Sequence, residues 1–431
     1  MTEYVGKPVT RYDGIGHVTA RTTYVDDVQK PGLLYIKVLT SPVHKGSLRR
    51  LDMSAAEKMP GVAGVLTAKD VPGANAYGLI PDQPVFTPEH IRFKGERIAA
   101  VAAVDEDTAM EALEKIRLEI EESTPVFDPY EAMKPGAPLV RPEGNVFQFD
   151  SGLTRKILLG DVEKGFREAD TIVEGRYTNR MNDHAPLEPQ VSVAYIDETD
   201  RLGIHTVSQD LYFHLGFLAA VFNLPMNKIQ YIEGTVGEEF GAKNDIHCDH
   251  VAGLMALKLR KPVKYALTRA EETLYTTKRG AWVFTFKDGV KKDGRIVARQ
   301  VTTLHDTGAY SGMGPYVVDK NAILVAGPFF IPHIRIDGTC VYTNKPPASS
   351  MRGFGIINGT SAEQLQMDRI AETIGMDPWE IRFINAWRDG DLGATQFKVV
   401  AAGLIEAMKR AAELAGVNLP ARLKAMSSRG R

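Results

Sequence analysis

An arginine set among glycines at the entrance to a long helical pattern is a physical anion trap. This chain carries one at Ser349-Ser350-Met351-Arg352-Gly353-Phe354-Gly355, after a Pro346-Pro347 turn. The glycines let backbone N–H groups approach a ligand, the helix N-terminus adds partial positive charge, and the guanidinium adds a planar fork of donors. Two earlier segments offer related chemistry. In Val207-Ser208-Gln209-Asp210 a neutral amide follows a strand and precedes an apolar helix, and it supplies N–H without a competing charge. In Glu238-Glu239-Phe240-Gly241-Ala242-Lys243, Gly241 permits close backbone approach. Read from the residues alone, Gln209 fits an ordinary helix start capped by Asp210 better than a ligand site.

Other clusters weigh less. His247-Cys248-Asp249-His250 has metal-binding residue types, but on a helix only His247 and His250 would share a face. His184, ahead of Pro186-Leu187-Glu188, reads as a buried, satisfied histidine rather than a base. The Gly353, Gly355, Gly359 spacing is not a dinucleotide fingerprint, because no strand immediately precedes it.

These segments need strands and helices to hold them. Residues 31–40 read as a buried strand opened by a Pro-Gly turn. Asp107 to Lys115 is helical, with Ala109, Ala112 and Leu113 as its apolar stripe. The period then changes to two at Ile116, Leu118 and Ile120. Thr124 to Asn145 carries five prolines and reads as a linker. Beyond it, Gly203–Val207 and Lys228–Ile232 read as strands, and Leu211–Phe222 and Asp245–Leu259 as helices. Trp282–Lys287 and Arg295–Thr303 read as strands with turns at Asp288-Gly289 and Asp293-Gly294. Helices follow at Thr360–Ile374, from Asp377-Pro378, and at Ala401–Leu414. The expected fold class is α+β.

Composition bounds the function. With 431 residues, two or three domains are expected. The 44% hydrophobic and 25% charged content is that of an ordinary globular chain. A net charge of −2 gives no reason to expect nucleic acid or an anionic membrane as a partner. No apolar run reaches the ~20 residues of a membrane span, and the Met-Thr-Glu-Tyr-Val-Gly-Lys start lacks the core of a secretory signal, so a cytoplasmic location is expected. Two cysteines, Cys248 and Cys340, make no disulfide framework and are too few for a [2Fe–2S] cluster, which takes four thiolates. Electrons from any redox chemistry would leave to another subunit.

Taken together, the Gln209, Phe240-Gly241 and Arg352-Gly353-Phe354-Gly355 segments resemble the molybdenum hydroxylase (xanthine dehydrogenase and aldehyde oxidase) family, in its molybdopterin-binding subunit. Gly16-His17-Val18-Thr19-Ala20, Tyr24-Val25-Asp26-Asp27, Ser41-Pro42-Val43-His44, Gly95-Glu96-Arg97-Ile98-Ala99-Ala100-Val101, Gly160-Asp161-Val162, Glu174-Gly175-Arg176-Tyr177 and His184-Ala185-Pro186-Leu187-Glu188 extend the resemblance over nearly the whole chain. It implies an N-terminal hammerhead-like α/β domain at 1–125, a linker at 126–150, and the first part of a molybdopterin-binding domain at 151–431. It implies that Gln209 donates to the apical oxo of molybdenum and that Phe240, Gly241 and Arg352 line the cofactor. The metal is held by the pterin rather than by side chains.

Departures from the pattern bear on substrate. Glu238, Glu239 and Ala242 stand where glycines are usual, making a bulkier, more acidic loop. Asn244 stands where purine-oxidising relatives place a glutamate, and Tyr310 lies near where they place an arginine; both argue against xanthine, although both positions also fit solvent-facing loops. Phe354 matches an aromatic that packs on a flat substrate, or else fixes its own loop. No match to the family's Gly-Glu stretch, whose glutamate is the general base, is found after the basic Met426–Arg431 end, so the chain is expected to be the N-terminal part of a split molybdopterin subunit with no catalytic residue of its own. The resemblance implies a second molybdopterin subunit carrying the base, an iron–sulfur subunit with two [2Fe–2S] clusters, and an FAD subunit. The pterin is expected in its cytosine dinucleotide form. A nicotinate-like N-heteroaromatic is the lead substrate, purine or aldehyde oxidation the alternative, and a non-catalytic scaffold the reading from another class.

Overall fold

The computed structural model describes residues 4–429; residues 1–3 and 430–431, the last two of the basic end, lie outside it. Helices and strands are mixed, as an α+β class requires. The chain forms two compact units that are not consecutive in sequence. One takes the residues up to Ser123 together with His184–Thr276, and the other takes Thr124–Asp183 together with the residues from Thr277 on. The expected sequential division is therefore not the division that contacts make.

In the first unit a seven-stranded sheet runs in the order Ile229–Glu233, Leu202–Thr206, Val191–Ile196, Val263–Ala266, Leu34–Thr40, Arg97–Ala103, Val62–Thr67. Two neighbour pairs are parallel, Leu202–Thr206 with Ile229–Glu233 and Leu34–Thr40 with Val263–Ala266. Strand Arg97–Ala103 is buried along its whole length, and Ile98–Ala103 is an unbroken apolar run rather than an alternation. Helix Glu106–Glu114 packs on it and on Leu34–Thr40, with Asp105 accepting from the Thr108 N–H at its start. A three-stranded sheet of His90–Ile91, Gly46–Asp52 and Arg117–Glu122 completes the hammerhead-like part, and the predicted alternation at Leu118 and Ile120 faces its core.

The second unit is built on a five-stranded sheet in the order Arg155–Leu159, Ile334–Tyr342, Ile296–Gly308, Ala281–Val290, Thr171–Asn179, with only the Ile296–Gly308 and Ile334–Tyr342 pair parallel. Helices Gly314–Leu324 and Ile356–Ile374 pack against it around Phe284, Phe286, Val301, Ile336 and Ile370.

Several expectations are corrected here. Asp288-Gly289 is not a turn: both residues lie inside strand Ala281–Val290, where the fully buried Asp288 pairs with Arg299 at 2.7 Å. The proline-rich segment from Thr124 is not a free linker. Val126, Ala132, Val140 and Asn145 are buried, Asp128 caps a short helix Pro129–Ala132, and the Asn344 Oδ1 accepts from the Val126 N–H. The helix expected from Asp245 starts at Asp249, because Ala242–Asn244 forms a 3-10 turn and Asp245 is extended. His247 therefore precedes that helix and shares no helical face with His250. Helix Ile356–Ile374 begins four residues earlier than read, and the helix expected from Ala401 begins at Leu404.

Candidate functional site

In the first unit, four of the seven predicted site residues converge on two adjacent loops. Strand Leu202–Thr206 ends beside Gln209, and the loop Glu238–Asn244 returns alongside it, tied by the Gln209 N–H donating to the Lys243 carbonyl at 3.0 Å. The loop bends through left-handed backbone at three of four successive residues, Glu238 (φ 77°), Phe240 (φ 53°) and Gly241 (φ 98°). Only the last is a glycine. Each of the other two costs of the order of 1–3 kcal/mol, a cost that persists only where surroundings over-determine it.

The surroundings do so with charge. Lys243, whose side chain is fully buried, donates to Glu188, which also accepts from the Gly237 N–H at 2.8 Å. Burial pulls the Lys243 ammonium below its usual range, and the Glu188 hydrogen bond partly restores it. Glu239 accepts from the Gly241 N–H at 2.9 Å and is itself raised, chiefly by burial, against the opposing pull of that hydrogen bond and of Lys243.

Gln209 is exposed, and its amide nitrogen donates to Glu239 Oε1 at 2.9 Å and to Asn244 Oδ1. Both amide hydrogens are thus engaged within the chain, and donation to a ligand requires one to be released. Asp210 does not cap the helix Leu211–Phe222, contrary to the alternative reading of this segment; its carboxylate accepts from Asn244 Nδ2 at 3.0 Å instead. Asn244 is held on both sides rather than facing solvent. A cavity of about 630 Å³ opens beside the loop, bounded by Tyr24, Glu188, Gln190, Val236, Glu238 and Leu267.

In the second unit Arg352 is exposed, between half-buried Met351 and the left-handed Gly353 (φ 81°) and Gly355 (φ 70°). Gly355 caps helix Ile356–Ile374 with no side chain over the first turn, and the Ile356 and Ile357 N–H groups donate to the Gly353 carbonyl at 2.8 and 3.2 Å, so the first amides of the expected anion trap are engaged within the turn itself. Arg279 holds it: its guanidinium donates to the Arg352 carbonyl, to Asn358 Oδ1 at 3.2 Å and towards Met351 Sδ. It bonds neutral acceptors rather than a carboxylate, and burial lowers its pKa. Phe354 packs against the core of this unit, the loop-fixing alternative. Tyr310 is completely buried under the Arg141 guanidinium, so it supports the loop and offers no surface.

His247 and His250 are buried, and His250 Nε2 lies 3.0 Å from Arg97 Nη2. Among the described residues no group of three or more metal-ligating side chains occurs, and no helix is long and apolar enough to cross a membrane. Sequence reasoning missed Glu239 as an acceptor, the Glu188–Lys243 pair and Arg279. The pair lies 55 residues apart and carries no local signal.

Residues 143–386 match the family described as molybdopterin cofactor-binding domain, and residues 19–124 match the aldehyde oxidase and xanthine dehydrogenase a/b hammerhead domain. The chain is 33% identical to the nicotinate dehydrogenase large molybdopterin subunit of Eubacterium barkeri over 96% of both chains. It is 37% identical to a probable xanthine dehydrogenase subunit of Bacillus subtilis (strain 168), over 92% of this chain and 53% of that one. Its fold is similar to that of an aldehyde oxidoreductase from Desulfovibrio gigas, with a TM-score of 0.89 and 29% identity over 94% of this chain and 46% of that one. Apart from the Eubacterium barkeri subunit, the chain spans about half the length of these relatives.

Proposed function

Because this chain belongs to the aldehyde oxidase and xanthine dehydrogenase family of molybdopterin-binding proteins, we propose that it is the molybdopterin-binding subunit of a multi-subunit hydroxylase acting on a nicotinate-like N-heteroaromatic. The observation that carries the reading is the strained loop of the first unit. Two non-glycine residues are held left-handed beside an exposed amide, anchored by a buried ion pair, which is backbone shaped to approach a ligand closely.

The residues present fit such a group. Gln209, Phe240 and Gly241 of the first unit would contact it, and Arg352, exposed on its own loop of the second unit, is proposed from the resemblance alone as a cofactor residue. When bound, the molybdenum cofactor, in its cytosine dinucleotide form, supplies the redox chemistry that hydroxylates an electron-poor carbon with water as the oxygen source. The chain's own residues bind and orient. Gln209 offers a neutral donor once Glu239 or Asn244 releases it. Asn244 selects substrate by shape rather than by charge, while Phe354 and Tyr310 act only by fixing their own loops of the second unit. Arg352 and Arg279 give an anionic substituent, such as a ring carboxylate, a cationic neighbourhood. No residue here is assigned as the general base, which we place on a second molybdopterin subunit. These 431 residues hold two cysteines, both buried, too few for a [2Fe–2S] cluster, so we place the clusters outside them; the placement of FAD on a further chain rests on the resemblance alone.

Similarity over 96% of the Eubacterium barkeri subunit supports the nicotinate-like reading. Purine oxidation is the second reading, favoured by the 37% identity to the Bacillus subtilis protein and disfavoured by the uncharged Asn244. The test is to co-express the chain with its candidate partners, measure molybdenum and released pterin, and screen nicotinate, xanthine and aldehydes with an artificial acceptor. Molybdenum with nicotinate turnover is expected. A complex without molybdenum would make the chain a scaffold, and xanthine as the best substrate would overturn the substrate assignment.

A further inference from the structure

We propose that His214 is a positioning residue that sets the separation of the two loops carrying Gln209 and Asn244; this rests on the reading of those loops as the cofactor and substrate site. His214 lies in the first turn of helix Leu211–Phe222 and is 2% exposed. Its Nε2 is 2.9 Å from the Asn244 carbonyl oxygen, and its Nδ1 is 2.9 Å from Ser208 Oγ. A carbonyl only accepts, so Nε2 carries the proton and Nδ1 accepts from the Ser208 hydroxyl. Ser208 Oγ in turn accepts from the Asp210 N–H at 3.2 Å. One rigid ring therefore spans from the residue preceding Gln209 to the backbone of Asn244.

The ring is fixed from behind. Tyr231 Oη lies 3.3 Å from Nδ1 and donates to Asp249 Oδ1 at 3.2 Å, and the same oxygen accepts from Ser192 Oγ at 2.9 Å. Asp249, in the segment whose residue types suggested a metal, is thus the anchor of a buried hydrogen-bond chain that ends on the site loop. Above the ring, Gln209, Glu239, Asp210 and Asn244 form a polar cluster drawn from both loops. An amide whose donors are shared among three acceptors is sensitive to small shifts between those loops, and the imidazole supplies a spacer that cannot shorten. Polar networks of this kind are energetically strong only when every member is satisfied.

The experiment compares His214→Gln, His214→Asn and His214→Phe in the assembled enzyme. Glutamine places an amide N–H near the Nε2 position; asparagine reaches only the Nδ1 position, and phenylalanine keeps the volume with neither. Two readouts are taken: kcat and KM with molybdenum content, and hydrogen exchange at the amides of 243–245 in cofactor-free protein. His214→Phe and His214→Asn are expected to lower kcat about tenfold, with KM within about twofold and molybdenum retained, and to speed exchange in the loop. His214→Gln is expected to recover most of both. Wild-type kcat and exchange in His214→Phe would overturn the proposal, as would equal loss of folded protein in all three variants. Gln209→Ala run in parallel separates the two ideas: if it keeps full turnover, the site reading fails, while loop exchange in His214→Phe still reports on the spacer.

Discussion

Each unit buries an arginine or lysine against carboxylates, and the two burials differ in what they support. In the first, Lys243 and Glu188 form a single pair under a loop with strained backbone. In the second, Arg299 lies between Asp288, at 2.7 Å, and Glu363, at 3.6 Å, inside the sheet-and-helix core, and also donates to the Ala326 carbonyl at 2.8 Å. Gln366 bonds the second oxygen of Asp288 at 2.8 Å and accepts from Tyr177 at 2.7 Å. The core cluster has surplus negative charge and rigid walls, so burial pushes the Glu363 carboxyl up to about 7 even though Arg299 opposes it. In the loop the single lysine faces Glu188 with Glu239 and Glu272 nearby, and burial there lowers the pKa of the lysine while that of Glu239 is raised. Buried charge in a regular sheet is a matter of stability, whereas buried charge beneath a strained turn is a matter of shape.

The contrast can be broken in order of size. Arg299→Met removes the cation between two buried carboxylates, and we expect a loss at the upper end of the roughly 3–5 kcal/mol that a broken buried pair costs, read as a lower denaturant midpoint for the second unit. Glu188→Ala strands Lys243, but the loop above can yield, so about 3 kcal/mol is expected. Its distinguishing sign is loss of molybdenum binding under conditions where the fold persists by circular dichroism. Equal, global unfolding by both variants would erase the contrast.

Glu363→Gln tests the surplus charge. The folded carboxyl binds its proton more tightly than the unfolded one, so this group's contribution to stability is greatest below pH 4.5 and declines as pH rises to about 7, then stays flat. The decline amounts to at most about 3 kcal/mol. Stability measured across that range should fall in the wild type and fall less in the variant; parallel curves would refute the assignment. Gln209→Ala is the smallest change, removing one donor worth roughly 1–3 kcal/mol. The lower half is expected, as slower turnover at unchanged molybdenum content, because Glu239 already takes part of that amide. Full turnover at full metal occupancy would count against Gln209.

The sequence carried the elements better than the connections. Helix Leu211–Phe222 was legible to the residue because its ends are marked by a polar stretch and by Pro225. The strand at Arg117–Glu122 was legible through its alternation. Asp288-Gly289 misled because the dipeptide favours turns, yet its carboxylate is required by an arginine eleven residues on. The prolines after Thr124 misled in the same way, since the buried Val126 and Asn145 that fix the segment find their partners near 340. For the candidate site, the adjacency of the Gln209 and Glu238–Asn244 loops was suggested only by the resemblance, not by residue types. What Gln209 bonds, what anchors Lys243 and what lies under Asn244 depend on pairs 30 to 55 residues apart, and no local pattern encodes them.

The interleaving of the two units has a consequence for biosynthesis. Strand Leu34–Thr40 lies between Arg97–Ala103 and Val263–Ala266. At translation speeds of about 5–20 residues per second, its second neighbour emerges from the ribosome roughly 10–45 s after the strand itself. During that interval an apolar strand presents an unpaired edge, the configuration that invites wrong pairing between nascent chains. We expect its yield in a foreign host to respond to slower growth and chaperone supply before it responds to any change in the site.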